Sequence, residues 1–592
     1  MNVRERISAL RIEMKNKGIK AYIIPSTDPH ISEYVAECWS SRAWISGFTG
    51  SAGTVVVTDE VAGLWTDSRY FLQAENELAD SGIDLHKLGL PDSVDYPEWL
   101  KKNLNSGDVV GFDGKVFTVA LAQKMNKLFS LKGLVLNTEN DLIELVWNDR
   151  PSIPDSLIFE HELVYSGKAR TKKIAEIREA MKDQDADYHL LATLDDINWT
   201  FNIRGRDVAF NPVAICYAII GKDIAELFIN ETKIPTELKA ALESNGIKIL
   251  PYNTISERIK EFESGKNVFV DINKINLWLY ESIPAHCNKI EGANPSTMLK
   301  ACKNDTEIQG VKNAMRRDAV AMLNFIYWLE TTVGNEKITE VTTMEKIREF
   351  RSQIPLYFGE SFNTIAGFKG NGAIVHYGAS EATALEIQPE GFFLFDSGGQ
   401  YFDGTTDITR MFHLSEPTAQ EKIDYTLVLK GHIMLSMAQF PVKTRGSQLD
   451  ILARKNLWDR GCNYMHGTGH GVGCFMNVHE GPQNIRMDEN PTTLEPGMIV
   501  SNEPGLYRAG QYGIRIENLV VVVQGDKTEF GQFLKFENLT LCPIDTKAID
   551  KSLLSDDEIN WFNDYHRNVY NEVAPLLDDE MRRFLADKTK AI

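Results

Sequence analysis

The chain has 592 residues, which at about 150 residues per domain predicts two to four domains. Hydrophobic residues make up 43% of it and charged residues 25%, the composition of an ordinary soluble globular protein. The net charge of −20 and the pI of about 5.2 argue against a nucleic-acid binder and against attraction to anionic membranes.

The cysteines and the N-terminal segment predict a cytoplasmic protein. Seven cysteines are scattered without a C-x-x-C pair, which is typical of reduced thiols in a reducing compartment. Charges interrupt the opening MNVRERISALRIEMKNKG every few residues, so we expect no signal peptide. No apolar run approaches about 18 residues, so we expect no transmembrane helix.

The first half of the chain predicts two successive α/β units. The opening helix leads to the strand KAYIIPS, and a hairpin and a helix follow in TVVVTDEVAGLWTDSRYFLQAENEL. The proline-containing segment DRPSIPDS near residue 150 is a linker candidate. The second unit again runs from a helix to a strand (Tyr188–Leu191) and an aromatic segment ending in glycine. This order indicates an internal duplication, although any two α/β units look alike at this level. Here we place Asp195 and Asp196 on a strand, facing opposite ways.

The second half of the chain has a different pattern of predicted helices and strands. A long helix is predicted with Asn304 or Asp305 as its N-cap, and a second helix from about Glu340. Glycine-punctuated strands fill residues 359–542, with one helical interruption at EKIDYTLVLKGHIMLSMAQF, and helices follow from Ser555. We therefore predict domains at residues 1–153, 154–303 and 304–592.

The segment FFLFDSGGQYFDGTTDITRMF predicts a hairpin, with GGQYFDG as its turn. Such a hairpin brings Asp396 and Asp407 close together. Two carboxylates at adjacent strand ends repel each other unless a cation or a proton lies between them. The alternative is that both are turn aspartates that bond the local backbone.

The segment HGTGHGVG contains His466 and His470. With Cys462 and Cys474 they fall at four-residue intervals, which on a helix would form a zinc-binding stripe. The alternating glycines make a helix improbable, so a glycine-rich loop that presents one imidazole to a site is favoured. A phosphate-binding loop is disfavoured because the strand–loop–helix context is missing.

Two further carboxylates follow in SNEPG and GIRIENLVVVV. Glu503 stands at the end of the strand MIVSNE, which stops at Pro504. We read GIRIENLVVVV as one strand in which Arg515 and Glu517 share a face. An inward carboxylate in so apolar a strand needs a partner, and a structural ion pair with Arg515 is the alternative to a metal.

Together these segments predict a dinuclear metal site. Its four carboxylates carry −4, which two divalent ions would balance while bridging carboxylates hold them about 3.5–4 Å apart. Mostly oxygen ligands favour harder ions such as Mn²⁺. The predicted set is Asp396, Asp407, His470, Glu503 and Glu517.

These five residues, within DSGGQYFDGTTDITR, HGTGHGVG, SNEPG and RIEN, resemble the pita-bread metallopeptidase family of methionine aminopeptidase, prolidase and Xaa-Pro aminopeptidase. WISGFTGSAGTVVVT, WTDSRY, DINWTFNIRG, GAIVHYG and GVGCFMNVHEGP are similar to cytosolic three-domain Xaa-Pro aminopeptidases. The resemblance implies two related N-terminal α/β domains followed by a C-terminal pita-bread α+β catalytic domain with a helical tail.

The resemblance also implies roles for individual residues. Asp407 and Glu517 are expected to bridge two metals. The expected metal is Mn²⁺, with Co²⁺ and Zn²⁺ as alternatives. Glu503 is also the expected general base. The expected catalytic and substrate-binding histidines are His376, His466 and His479. Arg515 and Arg69 match further substrate-binding positions.

The implied reaction is hydrolysis of the first bond of peptides with proline second, by a metal-activated hydroxide. Peptides are therefore the expected partners, with no nucleic acid and no membrane, and the family suggests a homodimer. The alternatives are a prolidase that cleaves Xaa-Pro dipeptides, a metal-free relative such as creatine amidinohydrolase, and a metal-free pita-bread binding protein. Two upstream α/β units count against prolidase, and the complete ligand set counts against the metal-free proteins.

Overall fold

A computed structural model describes the whole chain, Met1–Ile592. The chain forms two compact units, one of Met1–Glu162 with Lys168–Thr297 and the other of Leu163–Gly167 with Met298–Ile592. None of its helices is both long enough and apolar enough to cross a membrane. None of the seven cysteines forms a disulfide bond.

The first unit begins with a six-stranded mixed sheet flanked by helices. Its strands are β1 (Ala21–Ile24), β2 (Thr54–Thr58), β3 (Ala62–Thr66), β4 (Asp84–Lys87), β5 (Val109–Gly111) and β6 (Val135–Asn137). The helices are α1 (Val3–Asn16), α2 (Ser41–Ser46), α3 (Phe71–Glu77), α4 (Tyr96–Asn103) and α5 (Val119–Ser130). The sheet order is β4-β3-β2-β1-β5-β6.

A second six-stranded sheet follows. The strands from here to the next unit are β7 (Phe159–Glu160), β8 (Tyr188–Leu191), β9 (Ile203–Arg204), β10 (Tyr217–Gly221), β11 (Ala225–Phe228), β12 (Ile247–Leu250), β13 (Asn267–Val270) and β14 (Asn288–Glu291). The helices of this stretch are α7 (Arg170–Asp183), α8 (Leu194–Phe201), α9 (Thr236–Ser244), α10 (Ile255–Lys260) and α11 (Leu277–Ser282). Two more helices involve the other unit: α6 (Leu163–Ser166) belongs to it, and α12 (Pro295–Ala301) runs into it after Thr297. β7 and β9 pair separately.

The two sheets have the same topology. The second has the order β12-β11-β10-β8-β13-β14. In each, the central strand (β1 or β8) pairs antiparallel with one neighbour (β2 or β10) and parallel with the other (β5 or β13). The duplication that the sequence indicated is therefore present in the strand connections.

The second unit combines long helices with antiparallel sheets. Its helices are α13 (Asp305–Thr332), α14 (Glu340–Ser352), α15 (Ala419–Ser436), α16 (Gly446–Trp458), α17 (Asp556–Val573) and α18 (Asp579–Lys588). Its strands are β15 (Tyr357–Glu360), β16 (Ile365–Phe368), β17 (Phe392–Ser397), β18 (Gly399–Tyr401), β19 (Gly404–Thr405), β20 (Ile408–His413), β21 (Gln439–Pro441), β22 (Gly469–His470), β23 (Asn484–Ile485), β24 (Ile499–Asn502), β25 (Gly505–Arg508), β26 (Tyr512–Arg515), β27 (Asn518–Thr528) and β28 (Gly531–Asn538).

These strands form two three-stranded sheets (β15-β18-β19 and β16-β17-β20), the four-stranded sheet β21-β28-β27-β24, and the pairs β22–β23 and β25–β26. Asn304 is the N-cap of α13, as predicted, and forms a reciprocal capping box with Glu307. Phe325 of α13 stacks on Phe395 of β17 at 4.2 Å, so one face of the β16-β17-β20 sheet is covered by this helix.

Four predictions about local structure were wrong. The strand-rich region contains a second helix, α16, whose Leu449, Ala453 and Leu457 are buried at helical spacing. GGQYFDG is not only a turn, because it contains the short strand β18 and the first residue of β19. GIRIENLVVVV is two strands, because β26 pairs with β25 whereas β27 pairs with β24.

The fourth error concerns Asp195 and Asp196, which lie in the first turn of α8 and not on a strand. Acidic side chains are favourable at this end of a helix, where the backbone N–H groups are unpaired. The Thr193 hydroxyl donates to Asp196 Oδ2 at 2.6 Å, which anchors the start of the helix.

Candidate metal centre

Asp396 and Asp407 lie where β17 and β20 pair. Asp396 is opposite Thr409 in the antiparallel register, and Asp407 directly precedes β20. Because side chains alternate along a strand, Asp396 shares a face with Phe392 and Leu394, whereas Phe393 and Phe395 pack in a different hydrophobic core. Both carboxylates are buried, so the predicted juxtaposition is present.

His470 and Glu503 are joined through Ser501. The HGTGHGVG segment contains no helix, and His470 lies in the short strand β22. Its Nε2 atom is 3.4 Å from Asp407 Oδ2 and 3.5 Å from Glu503 Oε1. The Ser501 hydroxyl accepts from the His470 backbone N–H and donates to Glu503 Oε1, both at 3.0 Å.

Glu517 lies at the break between β26 and β27. The Thr409 hydroxyl donates to Glu517 Oε2 at 2.8 Å and accepts from Arg515 Nε at 3.1 Å. Arg515 Nη2 donates to Asp396 Oδ2 at 2.6 Å. The two side chains predicted to share a strand face therefore do meet in one site, although the strand is interrupted between them.

The five predicted ligands form one cluster. Ligand atoms of Asp407, His470 and Glu517 all lie within 4.8 Å of one another. Glu503 joins the cluster through its contact with His470, and Asp396 joins it through strand pairing and Arg515.

Three carboxylates of this cluster, those of Asp396, Glu503 and Glu517, resist ionisation. Burial raises the pKa of Asp396 to about 7, with Arg515 opposing and Asp407 reinforcing the shift. Burial also raises the pKa values of Glu503 and Glu517, and for Glu517 the Asp407 and Asp396 charges add to the shift. These are the shifts expected of carboxylates too close together to be charged at once without cations.

His470 behaves in the opposite way. Burial alone would lower its pKa, but the hydrogen bond with Asp407 and the negative charges of Glu503 and Asp407 raise it to about 9. The negative charges that raise the pKa of His470 would equally attract a cation.

The cluster fits divalent metal ions. Asp396 Oδ1 is buried without a hydrogen-bond partner, although a buried carboxylate oxygen normally has one. Four carboxylates and one imidazole form a donor set rich in oxygen, which suits hard or borderline divalent ions.

His466 lies in a network that reaches the same cluster. Its Nδ1 atom is 2.7 Å from the Gly467 carbonyl oxygen and its Nε2 atom 2.9 Å from the Tyr507 hydroxyl. Arg515 Nη1 donates to this hydroxyl at 2.7 Å, which leaves the tyrosine proton for His466 Nε2. The network thus assigns the ring proton of His466 to Nδ1.

The two other predicted histidines are in the same unit. The His479 ring is 4.4 Å from the His470 ring and nearly perpendicular to it, at 84°. His376 is half-buried just after the short 3₁₀ helix Lys369–Ala373.

Arg69 lies in the first unit. It forms a two-point ion pair with Asp67, with both contacts at 2.8 Å. It also lines a cavity of about 330 Å³ together with Glu33 and Tyr96. The role of Arg69 in substrate binding stays a prediction.

Four family models together match most of the chain. The model of metallopeptidase family M24 matches residues 309–524, and that of the C-terminal region of peptidase M24 matches residues 532–592. Two models of the creatinase/prolidase N-terminal domain match residues 6–140 and 149–307. Aminopeptidase P2 of Arabidopsis thaliana is 42% identical over 97% of this chain and 86% of its own length. Xaa-Pro aminopeptidase 1 of Dictyostelium discoideum is 40% identical over 97% of this chain and 94% of its own.

The chain belongs to the Xaa-Pro aminopeptidases of metallopeptidase family M24. The crystal structure of X-prolyl aminopeptidase from Caenorhabditis elegans, described as a cytosolic enzyme with a di-nuclear active site, matches with a TM-score of 0.96 and 35% identity over all of both chains. The predicted fold class is confirmed: two creatinase-like N-terminal sheets precede a pita-bread domain.

Sequence reasoning missed three residues that contact the candidate metal centre, Thr409, Ser501 and Tyr507. Thr409 and Ser501 each lie two residues from a ligand along the same stretch of chain, so strand periodicity could have indicated them. Tyr507 could not have been found this way, because it reaches His466 and Arg515 only through the β25–β26 hairpin.

Proposed function

We propose that this protein is a metal-dependent aminopeptidase that removes the first residue of peptides whose second residue is proline. The observation that carries the proposal is the buried cluster of four carboxylates around His470. It lies in a chain that matches Xaa-Pro aminopeptidases over almost its whole length.

In this proposal the cluster would hold two divalent ions, and Asp407 and Glu517 would each serve as a ligand to both. Asp396, His470 and Glu503 complete the ligand set. When bound, such ions make a coordinated water more acidic and polarise the scissile carbonyl. We favour Mn²⁺ because of the oxygen-rich ligands, with Co²⁺ and Zn²⁺ as the alternatives.

Glu503 is assigned as the general base. Its carboxylate takes a proton from the attacking water and passes it to the proline nitrogen as the peptide C–N bond breaks. Burial raises the pKa of Glu503, so its carboxylate holds an accepted proton more readily than a solvent-exposed one does. The hydrogen bond from Ser501 to Glu503 Oε1 fixes the orientation of the carboxylate.

The histidines are assigned to the substrate. His376 and His479 would stabilise negative charge that develops on the carbonyl oxygen. His466 would contact the proline side of the scissile bond, with its ring held by Tyr507. The acidic cluster offers acceptors for the free amine of the first residue, and Arg515 orients the carboxylate of Asp396.

Domain organisation and assembly complete the proposal. We assign domains to residues 1–153, 154–303 and 304–592, which the ranges of the family models support. We also assign Arg69 to substrate binding, a homodimeric state and a cytoplasmic location. The C. elegans relative, described as cytosolic, supports the last of these.

A prolidase is the second candidate. The fold of the second unit is common to both activities, but this chain carries two six-stranded N-terminal sheets, and prolidases typically carry one such domain. The metal-free binding protein is disfavoured because the whole ligand set is present and clustered.

The test is hydrolysis of Arg-Pro-Pro, Arg-Pro and Arg-Ala-Ala by purified full-length protein, with metal content measured in parallel. We expect Mn²⁺-loaded protein to release arginine from Arg-Pro-Pro much faster than from the other two, and chelation to abolish this activity. Preference for Arg-Pro would identify a prolidase. Metal-loaded protein without turnover, or full activity after metal removal, would overturn the proposal.

A further inference from the structure

The loop that carries His466 and His470 is bound to helix α16 by two buried residues one helical turn apart. Asp450 and Arg454 are 2% and 1% exposed, and Arg454 Nε donates to Asp450 Oδ2 at 2.5 Å. Burying such a pair costs desolvation energy that its mutual attraction often does not recover. The role of the pair is therefore better judged from its other hydrogen bonds than from the ion pair alone.

Arg454 holds the loop at two points. Its Nη1 atom donates to the Tyr464 carbonyl oxygen at 2.6 Å, and its Nη2 atom donates to the His466 carbonyl oxygen at 2.8 Å. The guanidinium carbon also lies 3.8 Å from the centre of the Tyr464 ring. Only a planar guanidinium donates in these directions at once, and a lysine ammonium does not.

Asp450 holds the loop at a third point. Its Oδ1 atom accepts from the Thr468 hydroxyl, whose oxygen in turn accepts from the Tyr464 hydroxyl at 2.5 Å. The Thr468 carbonyl oxygen accepts from the Glu503 backbone N–H at 2.8 Å. The three anchored residues are 464, 466 and 468, so His466 is fixed directly and on both sides.

We propose that Asp450 and Arg454 are positioning residues that set the location of the His466 ring for catalysis. They act through the loop backbone and do not touch the five-ligand cluster. The inference rests on the proposed peptidase function, because His466 affects the measured rate only if it contacts substrate.

The buried pair of Arg351 and Asp318 provides a matched control. It lies in the same unit, is equally buried, and joins α13 to α14 through Nε and Oδ1 at 2.8 Å without bonding the histidine loop. Arg454→Lys and Arg351→Lys both retain a positive charge and lose the guanidinium fork. We therefore expect both variants to lose thermal stability.

Only Arg454→Lys is expected to lower kcat/KM for Arg-Pro-Pro, by roughly tenfold or more, since small displacements of a catalytic group have effects on this scale. Arg351→Lys should stay within about twofold of the unmodified enzyme, the usual scatter of independent effects. When His466 is already alanine, adding Arg454→Lys should lower kcat/KM by no more than about twofold further, because Arg454 affects the rate only by positioning His466. Metal content should be unchanged.

Hydrogen exchange of the backbone amides of residues 463–470 gives a readout that does not depend on activity. Exchange there should be faster in Arg454→Lys than in Arg351→Lys, and Thr468→Val should act in the same direction if Arg454→Lys fails to fold. Equal exchange in both lysine variants, or an undiminished loss in the His466→Ala background, would overturn the inference. An unmodified enzyme without peptidase activity would instead refute the proposed function, and the exchange data would still decide whether the loop is anchored as described.

Discussion

Thr409 joins two charged side chains of the metal centre, and its replacement by valine should weaken metal binding. Its hydroxyl donates to Glu517 Oε2 and accepts from Arg515 Nε, and the residue is fully buried. Valine has nearly the same shape but lacks the hydroxyl. The change therefore removes the two hydrogen bonds and leaves the packing almost intact.

The expected magnitude follows from these contacts. Groups that orient metal ligands typically contribute 10–100-fold to metal affinity, about 1.4–2.7 kcal/mol. Leaving Glu517 Oε2 and Arg515 Nε without this partner costs roughly 1–3 kcal/mol each, so folding stability should fall by about 2–6 kcal/mol. Glu517 should then be free to rotate away from the bridging position proposed for it.

Thr409→Ser is the matched control, because serine keeps the hydroxyl and loses only a buried methyl group. It should lose about 1 kcal/mol of stability and keep its affinity for Mn²⁺. The assay is a titration of metal-free protein with Mn²⁺ against a competing chelator. Unchanged Mn²⁺ affinity in Thr409→Val would refute the idea that this hydroxyl orients Glu517.

The other predictions concern chemistry, substrate handling and pH. Glu503→Gln keeps size but loses the proposed base, so kcat should fall at least about 100-fold in steady-state assays, whereas a change in KM alone would make it a binding residue. Alanine at His376 or His479 should lower kcat/KM while elemental analysis still finds normal metal content, and metal loss would reassign the residue as a ligand. Burial and the nearby Arg410 charge lower the pKa of His566 to about 4, so unfolding takes up a proton and stability falls as pH drops from about 6.5 to 4. His566→Gln should reduce that slope by up to about 1.4 kcal/mol per pH unit in urea denaturation, and an unchanged slope would contradict the assignment.

The sequence was informative wherever one segment carries its own pattern. Asp396 and Asp407 could be paired in advance because FFLFD has the pattern of a buried strand and TDITRMF alternates as a second strand beyond the glycine-rich connection. The absence of a helix around His470 followed from the alternating glycines alone.

The errors arose where the partner of a segment decides its structure. The alternation in GIRIENLVVVV is the same whether one strand or two are present, and only the choice of β25 and β24 as partners breaks it before Asn518. Helix α16 did have a signal, since Leu449, Ala453 and Leu457 recur at helical spacing. The prediction gave this region as glycine-punctuated strands with one helix and so did not include α16. It therefore also missed the two residues of α16 that hold the histidine loop.

The backbone around the ligands explains how residues so far apart in sequence form a precise site. The Glu503 amide donates to the Thr468 carbonyl oxygen beside His470, and the His470 amide donates to the Ser501 hydroxyl beside Glu503. The Glu517 amide donates to the Thr409 carbonyl oxygen at 3.3 Å. Each of these ligands is thus anchored to a segment that carries or pairs with another ligand.

This arrangement couples the ligands to one another. A break in a sheet normally leaves a backbone N–H group without a partner. At the break before β27 the Glu517 N–H donates to the Thr409 carbonyl oxygen of the neighbouring segment. Opening any one segment removes a hydrogen bond from a second, so the segments should open together. Because these hydrogen bonds fix the ligand segments relative to one another, the cluster meets the condition for a rigid catalytic centre.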